Sequence, residues 1–203
     1  MTMKHVFNKG SNPSKPTFVL LHGTGGNELD LLPIAGMIDD EASVLSVRGN
    51  VSENGMPRFF KRLAEGVFDM EDLVFRTKEL KEFIESASVE HGFDPNNLIA
   101  IGYSNGANIA GSLLFHYENV FKGAMLLHPM VPIRDVELPN MKDVSVFIGA
   151  GINDPICLPQ ETEELASMLD GAGAKVVIHW ENMGHSLTRS EIEAAAEWYK
   201  NNF

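Results

Sequence analysis

Residues 98–110 of the 203-residue chain have the sequence Leu-Ile-Ala-Ile-Gly-Tyr-Ser-Asn-Gly-Ala-Asn-Ile-Ala. The first four are apolar, which is typical of a strand covered on both faces, and the last four resemble the start of a buried helix. Between them, residues 102–106 match Gly-x-Ser-x-Gly, a sharp strand-to-helix turn that exposes the serine hydroxyl. The helix N-terminus brings amide donors and a positive dipole to that hydroxyl. We therefore predict a nucleophile at Ser104; the alternative is a glycine-rich turn in which Ser104 only caps the helix.

Short apolar runs alternate with amphipathic stretches along the rest of the chain. Strands are predicted over residues 17–22, 43–47, 98–102, 123–127, 144–149 and 175–180, and helices over 71–91, 105–117, 159–169 and 190–199. This alternation predicts an α/β fold, a three-layer sandwich whose mostly parallel central sheet carries helices on both faces. Residues 48–69 interrupt the alternation, and we expect a long ordered loop or short helices there. The terminus around His5 is expected to be frayed.

Length and composition narrow the classes of protein that the chain can belong to. A length of 203 residues fits a single domain, residues 1–203, and the net charge of −12 argues against nucleic-acid partners and basic membrane-surface proteins. Cys157 is the single cysteine, which excludes an intramolecular disulfide and a multi-cysteine zinc site. Residues 1–15 are polar, and no apolar run approaches the ~20 residues of a membrane span. We expect a cytoplasmic protein without a membrane partner, cofactor or metal. The sequence leaves open whether the chain forms a homodimer.

A serine hydroxyl is a weak nucleophile until a base takes its proton, so a histidine is required. The chain order serine, acid, histidine selects a late histidine, and His185 follows the last predicted strand. His22 and His128 also end strands, and we expect His128 to be a pocket-wall or hydrogen-bonded residue. Asp154 follows the preceding strand and is the predicted acid; its Asp-Pro setting is also that of a turn former. Asp135, after the strand before that, is its rival.

A glycine-rich loop, residues 22–28 (His-Gly-Thr-Gly-Gly-Asn-Glu), directly follows the first predicted strand. Acyl transfer needs donors aimed at the developing oxyanion, and we predict the backbone amides of Thr24 and Asn105 for this role. The loop lacks the Lys-Ser/Thr ending of a P-loop, and Glu28 and Asp30 would repel a phosphate. The Gly-x-Gly-x-x-Gly spacing of a dinucleotide site is also missing.

With these residues in place, the chain resembles the alpha/beta-hydrolase fold from Leu20 to His185. It resembles most the small serine carboxylesterases that include phospholipase/carboxylesterase-like and acyl-protein thioesterase-like enzymes. Leu-His-Gly-x-Gly-Gly-Asn-Glu at residues 21–28 and Arg-Gly-Asn at residues 48–50 resemble a bacterial branch, some members of which are associated with hydroquinone stress. The chain is also similar to dienelactone hydrolases, which use cysteine where Ser104 stands. Asn105 departs from the glutamine usual in the thioesterase-like relatives.

The minimal fold consumes almost the whole chain and leaves no room for a lid domain, so loops must form the pocket. The candidate pocket residues are His22, Glu28, Arg48, Met56, Phe59, Phe60, Phe68, Tyr103 and His128. The phenylalanines have core packing as their alternative role. Arg48 and Arg58 could recognise a carboxylate, with ion pairing as their alternative role. We expect a small or medium carboxylic ester as substrate, cleaved through an acyl-enzyme. The alternatives are an acyl thioesterase or lysophospholipase using the same residues, and a non-catalytic ligand sensor.

Overall fold

The computed structural model describes residues 2–203, and its centre is a seven-stranded sheet. Numbered along the chain, the strands are β1 (His5–Asn8), β2 (Thr17–Leu21), β3 (Val44–Val47), β4 (Val51–Glu53), β5 (Met56–Arg58), β6 (Arg62–Ala64), β7 (Val67–Phe68), β8 (Leu98–Tyr103), β9 (Gly123–Leu127), β10 (Ser145–Gly151) and β11 (Lys175–Glu181). The main sheet runs in the order β1-β3-β2-β8-β9-β10-β11. All neighbouring pairs are parallel except β1 with β3.

Helices cover both faces of this sheet. They are α1 (Leu32–Ile38), α2 (Met70–His91), α3 (Asn105–His116), α4 (Pro159–Gly171) and α5 (Arg189–Asn202). Alternate residues of β2 enter different cores: Val19 and Leu21 pack with α2, α3 and α4, whereas Phe18 and Leu20 pack with α1 and α5. Because strands in the middle of such a sheet are buried on both sides, they appear in the sequence as continuous apolar runs. The predicted three-layer α/β sandwich is confirmed.

The helix boundaries follow from local chemistry. The Asp69 carboxylate caps α2 by accepting the Asp72 N–H at 3.1 Å, and the helix ends at Gly92, whose φ of 73° is in the left-handed region. Helix α5 begins with a capping box between Thr188 and Glu191. Within residues 2–203, no helix is long and apolar enough to cross a membrane.

The segment of residues 48–69 differs from the prediction of a loop or short helices. It forms two antiparallel ribbons, β4 with β5 and β6 with β7. In the first ribbon Asn54 and Gly55 have φ values of 51° and 82°, the pair of positive angles that a type I′ hairpin turn requires. Asn-Gly is the sequence signal for this turn, so the hairpin could have been predicted.

Two further elements were absent from the sequence-based prediction. Residues around His5 are not frayed: they form edge strand β1, which pairs with β3 from His5↔Val47 to Asn8↔Val44. Helix α1 has only seven residues, too few for a clear helical period. Its residues Ala35 and Ile38 are nevertheless buried against the α5 side of the sheet.

Candidate active site

Ser104 lies on the turn between β8 and α3 with a backbone that few residues adopt. Its φ and ψ are 51° and −113°, its N–H donates to the Leu127 carbonyl at 2.9 Å, and its own carbonyl accepts the Asn108 N–H at 2.9 Å. Gly106 lets α3 cross close to β2, because a Cβ there would collide with the Leu21 carbonyl. The turn therefore presents Ser104 at the carboxyl end of the sheet, where ligands of open α/β sheets bind.

The structure brings three of the predicted residues into one hydrogen-bonded row. Ser104 Oγ lies 2.8 Å from His185 Nε2, and His185 Nδ1 lies 2.7 Å from Asp154 Oδ2. Tyr103 stacks on the His185 ring at 5.6 Å between centroids, and its hydroxyl donates to the His185 carbonyl at 3.1 Å. Asp135, the rival acid, is exposed and makes no hydrogen bond with His185.

Asp154 is buried, and its carboxylate is fully engaged. Oδ1 accepts the backbone N–H groups of Ile156 and Cys157 at 2.8 and 2.9 Å, whereas Oδ2 accepts from His185 and, at 2.9 Å, from His128. Burial by itself raises the pKa of Asp154, but these hydrogen bonds outweigh burial and hold the pKa below its ordinary value. The group is therefore ionised at neutral pH and fixes the orientation of the His185 ring.

The two predicted oxyanion donors lie beside the serine. Thr24 and Asn105 line the same cavity as Ser104, and neither backbone N–H donates to an acceptor among residues 2–203. Both residues are tied to the segment of residues 48–69 through their side chains. Asn105 Oδ1 accepts the Phe59 N–H at 2.7 Å, and Thr24 Oγ1 accepts from Arg58 Nη1 at 2.7 Å. The departure from glutamine at Asn105 thus comes with a contact that positions this segment.

A cavity of about 190 Å³ opens beside the Ser104 hydroxyl. Phe68 and Tyr103, two of the predicted pocket residues, line it. The sequence-based prediction missed other lining residues: Arg62, Asn108, Met130, Ile156 and Cys157. No local pattern marks them, because β6, α3 and the loops after β9 and β10 reach the cavity only through the tertiary fold.

Several of the predicted pocket residues do not line the cavity. Phe59 and Phe60 are 1% and 0% exposed and belong to the main core, so they do not line the cavity. His22 is buried, and its Nε2 accepts the Gly49 N–H at 3.1 Å. The pKa of His22 is lowered by that burial. Met56 is 39% exposed and lies near Gly25, outside the cavity wall.

Glu28 and Arg48 also lie outside the cavity. They form an ion pair with each other, and Lys4 joins them through a 3.2 Å contact with Glu28. The ion pair ties the end of the loop at residues 22–28 to Arg48, and neither residue lines the cavity, contrary to the prediction. His128 is hydrogen-bonded behind Asp154, which leaves it away from the cavity surface.

The positive charge at the cavity comes from two other arginines. Arg58 is 3% exposed; its Nε donates to the Phe60 carbonyl at 3.1 Å and lies 3.3 Å from Glu53. Arg62 donates to the same Glu53 at 3.0 Å. Two guanidinium groups thus share one carboxylate at the cavity wall. Burial and the neighbouring Arg62 charge lower the pKa of Arg58.

Two groups of side chains within residues 2–203 have donor atoms close enough for a metal ion. One is His128, Asp154 and His185, whose atoms are already joined by hydrogen bonds. The other is His5, Glu90 and His91, where the two imidazole Nε2 atoms lie 3.0 Å apart. The second group lies at the end of α2, and none of its three members lines the cavity at Ser104.

Comparison with known proteins identifies the family of the chain. The model of the dienelactone hydrolase family matches residues 60–201. The chain belongs to the dienelactone hydrolase family. MhqD from Bacillus subtilis (strain 168), named as a hydrolase, is 58% identical over 198 residues, which cover 98% of each chain.

Solved structures show the same family likeness over the whole chain. The crystal structure of the Bacillus cereus carboxylesterase superposes with a TM-score of 0.98 at 67% identity, covering 99% of this chain and 95% of that one. The structure of YahD with malic acid superposes with a TM-score of 0.95 at 31% identity and full coverage of both chains. In the present chain, the residue at the turn between β8 and α3 is a serine, Ser104.

Proposed function

We propose that this carboxylic ester hydrolase works through a Ser104–His185–Asp154 triad and an acyl-enzyme intermediate. The observation that carries the proposal is the continuous row of hydrogen bonds, 2.8 Å from Ser104 to His185 and 2.7 Å from His185 to Asp154. Such a row joins a nucleophile to a base and the base to the group that orients it. The Bacillus cereus carboxylesterase, at 67% identity, supports ester bonds as the target.

In the first half-reaction, Ser104 Oγ attacks the ester carbonyl carbon while His185 Nε2 takes the hydroxyl proton. The carbonyl oxygen becomes an oxyanion, which the N–H groups of Thr24 and Asn105 stabilise. Collapse of this intermediate breaks the bond to the alcohol, and the alcohol leaves with the proton from His185. Asp154 stays ionised throughout and stabilises the transient imidazolium.

In the second half-reaction, water replaces the alcohol. His185 takes one water proton as the oxygen attacks the acyl carbon, and Ser104 leaves with that proton. The acid product is released and the free serine is regenerated, and no group changes its oxidation state.

The size and charge of the cavity favour a small substrate that carries an acidic group. A volume of about 190 Å³ admits a short acyl or alcohol group beside the apolar side chains of Phe68, Met130 and Ile156. Arg58 and Arg62 have only Glu53 between them, which leaves positive charge at the wall of a protein whose net charge is −12. YahD, at 31% identity, was solved with malic acid, a small acid with two carboxyl groups, and this agrees with a substrate that carries a carboxylate.

A graded panel of 4-nitrophenyl esters and acyl thioesters tests the proposal. We expect Ser104-dependent hydrolysis that is fastest for short acyl chains and declines as the chain outgrows the cavity. A preference for thioesters over matched esters would favour the thioesterase alternative. Stable binding of the esters without turnover would favour the ligand sensor. Ser104→Ala is the control, and hydrolysis that persists in it would contradict the proposal.

A further inference from the structure

Asp154 Oδ2 has a second histidine partner besides His185. His128 Nδ1 lies 2.9 Å from this oxygen, and the two imidazole rings lie 5.3 Å apart in an edge arrangement. The side chains of His128 and Asp154 are both fully buried. The carboxylate that orients the base is therefore held from behind by a histidine that does not touch the cavity.

A second buried carboxylate faces the far side of His128. Glu191 Oε1 lies 3.5 Å from His128 Nε2, and neither atom has a closer polar partner among residues 2–203. Gly149 on β10 makes room for this carboxylate, because a Cβ at that position would collide with Oε1. Glu191 Oε2 meanwhile accepts the Thr188 N–H at 3.4 Å in the capping box of α5.

The backbone also holds His128 in one place. Its φ is 53°, its N–H donates to the Gly149 carbonyl at 2.7 Å, and its carbonyl accepts the Cys157 thiol at 3.2 Å. A left-handed backbone at a non-glycine residue is strained and persists only where the surroundings fix it. These backbone contacts, together with the approach of Asp154 and Glu191 to the ring nitrogens, hold the imidazole between the two carboxylates.

The titratable groups that face His128 are Asp154, Glu191, His185, Tyr103 at 6.0 Å between ring centroids, and Cys157. Burial alone would lower the pKa of His128, but Glu191 and Asp154 outweigh burial and raise it. A neutral ring that donated Nδ1–H to Asp154 would turn its Nε2 lone pair toward the Glu191 carboxylate. A protonated ring donates toward both.

We propose that His128 is a positioning residue whose imidazolium, held between Asp154 and Glu191, fixes the Asp154 carboxylate and cancels one of the two buried negative charges behind His185. The inference rests on the proposed function of the triad. With His128 charged, the buried group of three side chains has a net charge of −1. Without that charge it is −2, and the extra negative charge favours the protonated form of His185 over the free base.

His128→Asn tests the charge, since asparagine tolerates the left-handed backbone and is neutral. We expect the acidic limb of the kcat/KM profile to move to higher pH by about one unit. Hydrolysis then falls about tenfold at pH values well below the limb and recovers at alkaline pH. Loss of structure alone would not recover at high pH.

The double variant His128→Asn/Glu191→Gln separates charge from packing. It returns the net charge to −1, and glutamine still satisfies the capping box of α5. We expect the acidic limb to return toward its wild-type position even though a second buried residue has changed. His179→Asn is the matched control, because His179 pairs with Glu181 at 2.9 Å away from the serine. It should leave the profile unchanged.

Nitrogen NMR of the histidine rings gives a reading that needs no substrate. We expect His128 in the wild-type protein to be protonated on both ring nitrogens at pH 7, and Glu191→Gln to lower the pH at which it loses a proton. A neutral His128, an unmoved acidic limb in active His128→Asn, or a double variant without recovery would overturn the inference. A wild-type protein that neither hydrolyses esters nor acylates Ser104 would instead overturn the triad, and the NMR result would still decide the charge of His128.

Discussion

Two regions border the cavity and are built differently. One is the edge formed by the carboxyl ends of the sheet strands, and the other is the segment of residues 48–69. At the edge, Ser104 and His128 have φ values of 51° and 53°, and each N–H donates to the neighbouring strand. The segment consists of two ribbons of two strands each, outside the main sheet. A seven-stranded sheet with helices on both faces can hold strained turns in place, whereas a two-stranded ribbon is marginal by itself.

The contrast suggests a division of work between the two regions. The edge holds the groups that would react, and the segment supplies Arg58, Arg62 and Phe68 to the cavity wall. The two regions meet through the Asn105–Phe59 and Thr24–Arg58 hydrogen bonds. Changes at the edge should therefore slow every ester, and changes in the segment should alter which ester is preferred.

The largest effect is expected at the edge for Ser104→Ala. Loss of the nucleophile should lower kcat by about 10⁶-fold for every ester, as in serine-triad knockouts. Ser52→Ala is the matched control, because Ser52 is exposed on β4 in the segment and should leave turnover unchanged. Steady-state kinetics with 4-nitrophenyl esters measure both. A fall in both variants, or in neither, would break the division between the two regions.

The next effect is expected for Asp154→Asn, which should lower kcat by about 10⁴-fold because the base loses its orienting carboxylate.

Asp154 also affects the stability of the fold. Its pKa is lower in the folded protein than in the unfolded chain, so its ionised carboxylate stabilises the fold at pH values above the unfolded pKa. This stabilisation is lost as the pH falls through the folded pKa. Urea unfolding between pH 7 and pH 3 should therefore show a weaker acid dependence in Asp154→Asn. An identical acid dependence would exclude this linkage.

A smaller and selective effect is expected in the segment for Arg62→Gln. Mono-4-nitrophenyl glutarate and 4-nitrophenyl valerate differ in one terminal group, a carboxylate against a methyl. We expect kcat/KM to fall about five- to tenfold for the glutarate only, since the removed interaction is partly exposed. Arg189→Gln is the control, because Arg189 forms an exposed pair with Glu193. Equal losses on both esters would show that Arg62 does not read the carboxylate.

The smallest effect is expected at Cys157, the single thiol of the edge. It is 3% exposed, and burial raises the pKa of the thiol, which suppresses the reactive thiolate. Iodoacetamide at pH 8 should leave Cys157 unmodified in the native protein and alkylate it in urea. Alkylation at equal rates in both would indicate that this part of the edge is open, and would reopen cysteine chemistry for this family member.

The two regions also differ in how well the sequence predicts them. The strand–turn–helix of residues 98–110 and the buried strands next to it could be predicted, because a covered parallel strand and a nucleophile elbow are marked by adjacent residues. His185 and Asp154 followed from chain order, since each comes after a strand of the same sheet.

The segment of residues 48–69 was harder to predict from the sequence, because the burial of its side chains depends on the tertiary fold. Phe59 and Phe68 are the same residue type nine positions apart, yet the first is in the core and the second is at the cavity. The Asn54-Gly55 turn was the one local signal that was available. The approach of Glu191 to His128 joins residues from α5 and the end of β9, and no short pattern records such a contact.

Formation of a covalent acyl-enzyme tests the central claim most directly. The protein is mixed with a 4-nitrophenyl ester, quenched in acid, and digested for peptide mass mapping, with Ser104→Ala treated in parallel. We expect the mass of one acyl group on the peptide that contains Ser104, together with a burst of nitrophenol equal to the enzyme concentration. An acyl group on Cys157 or another residue, or hydrolysis in which neither a burst nor an adduct forms at Ser104, would contradict the account.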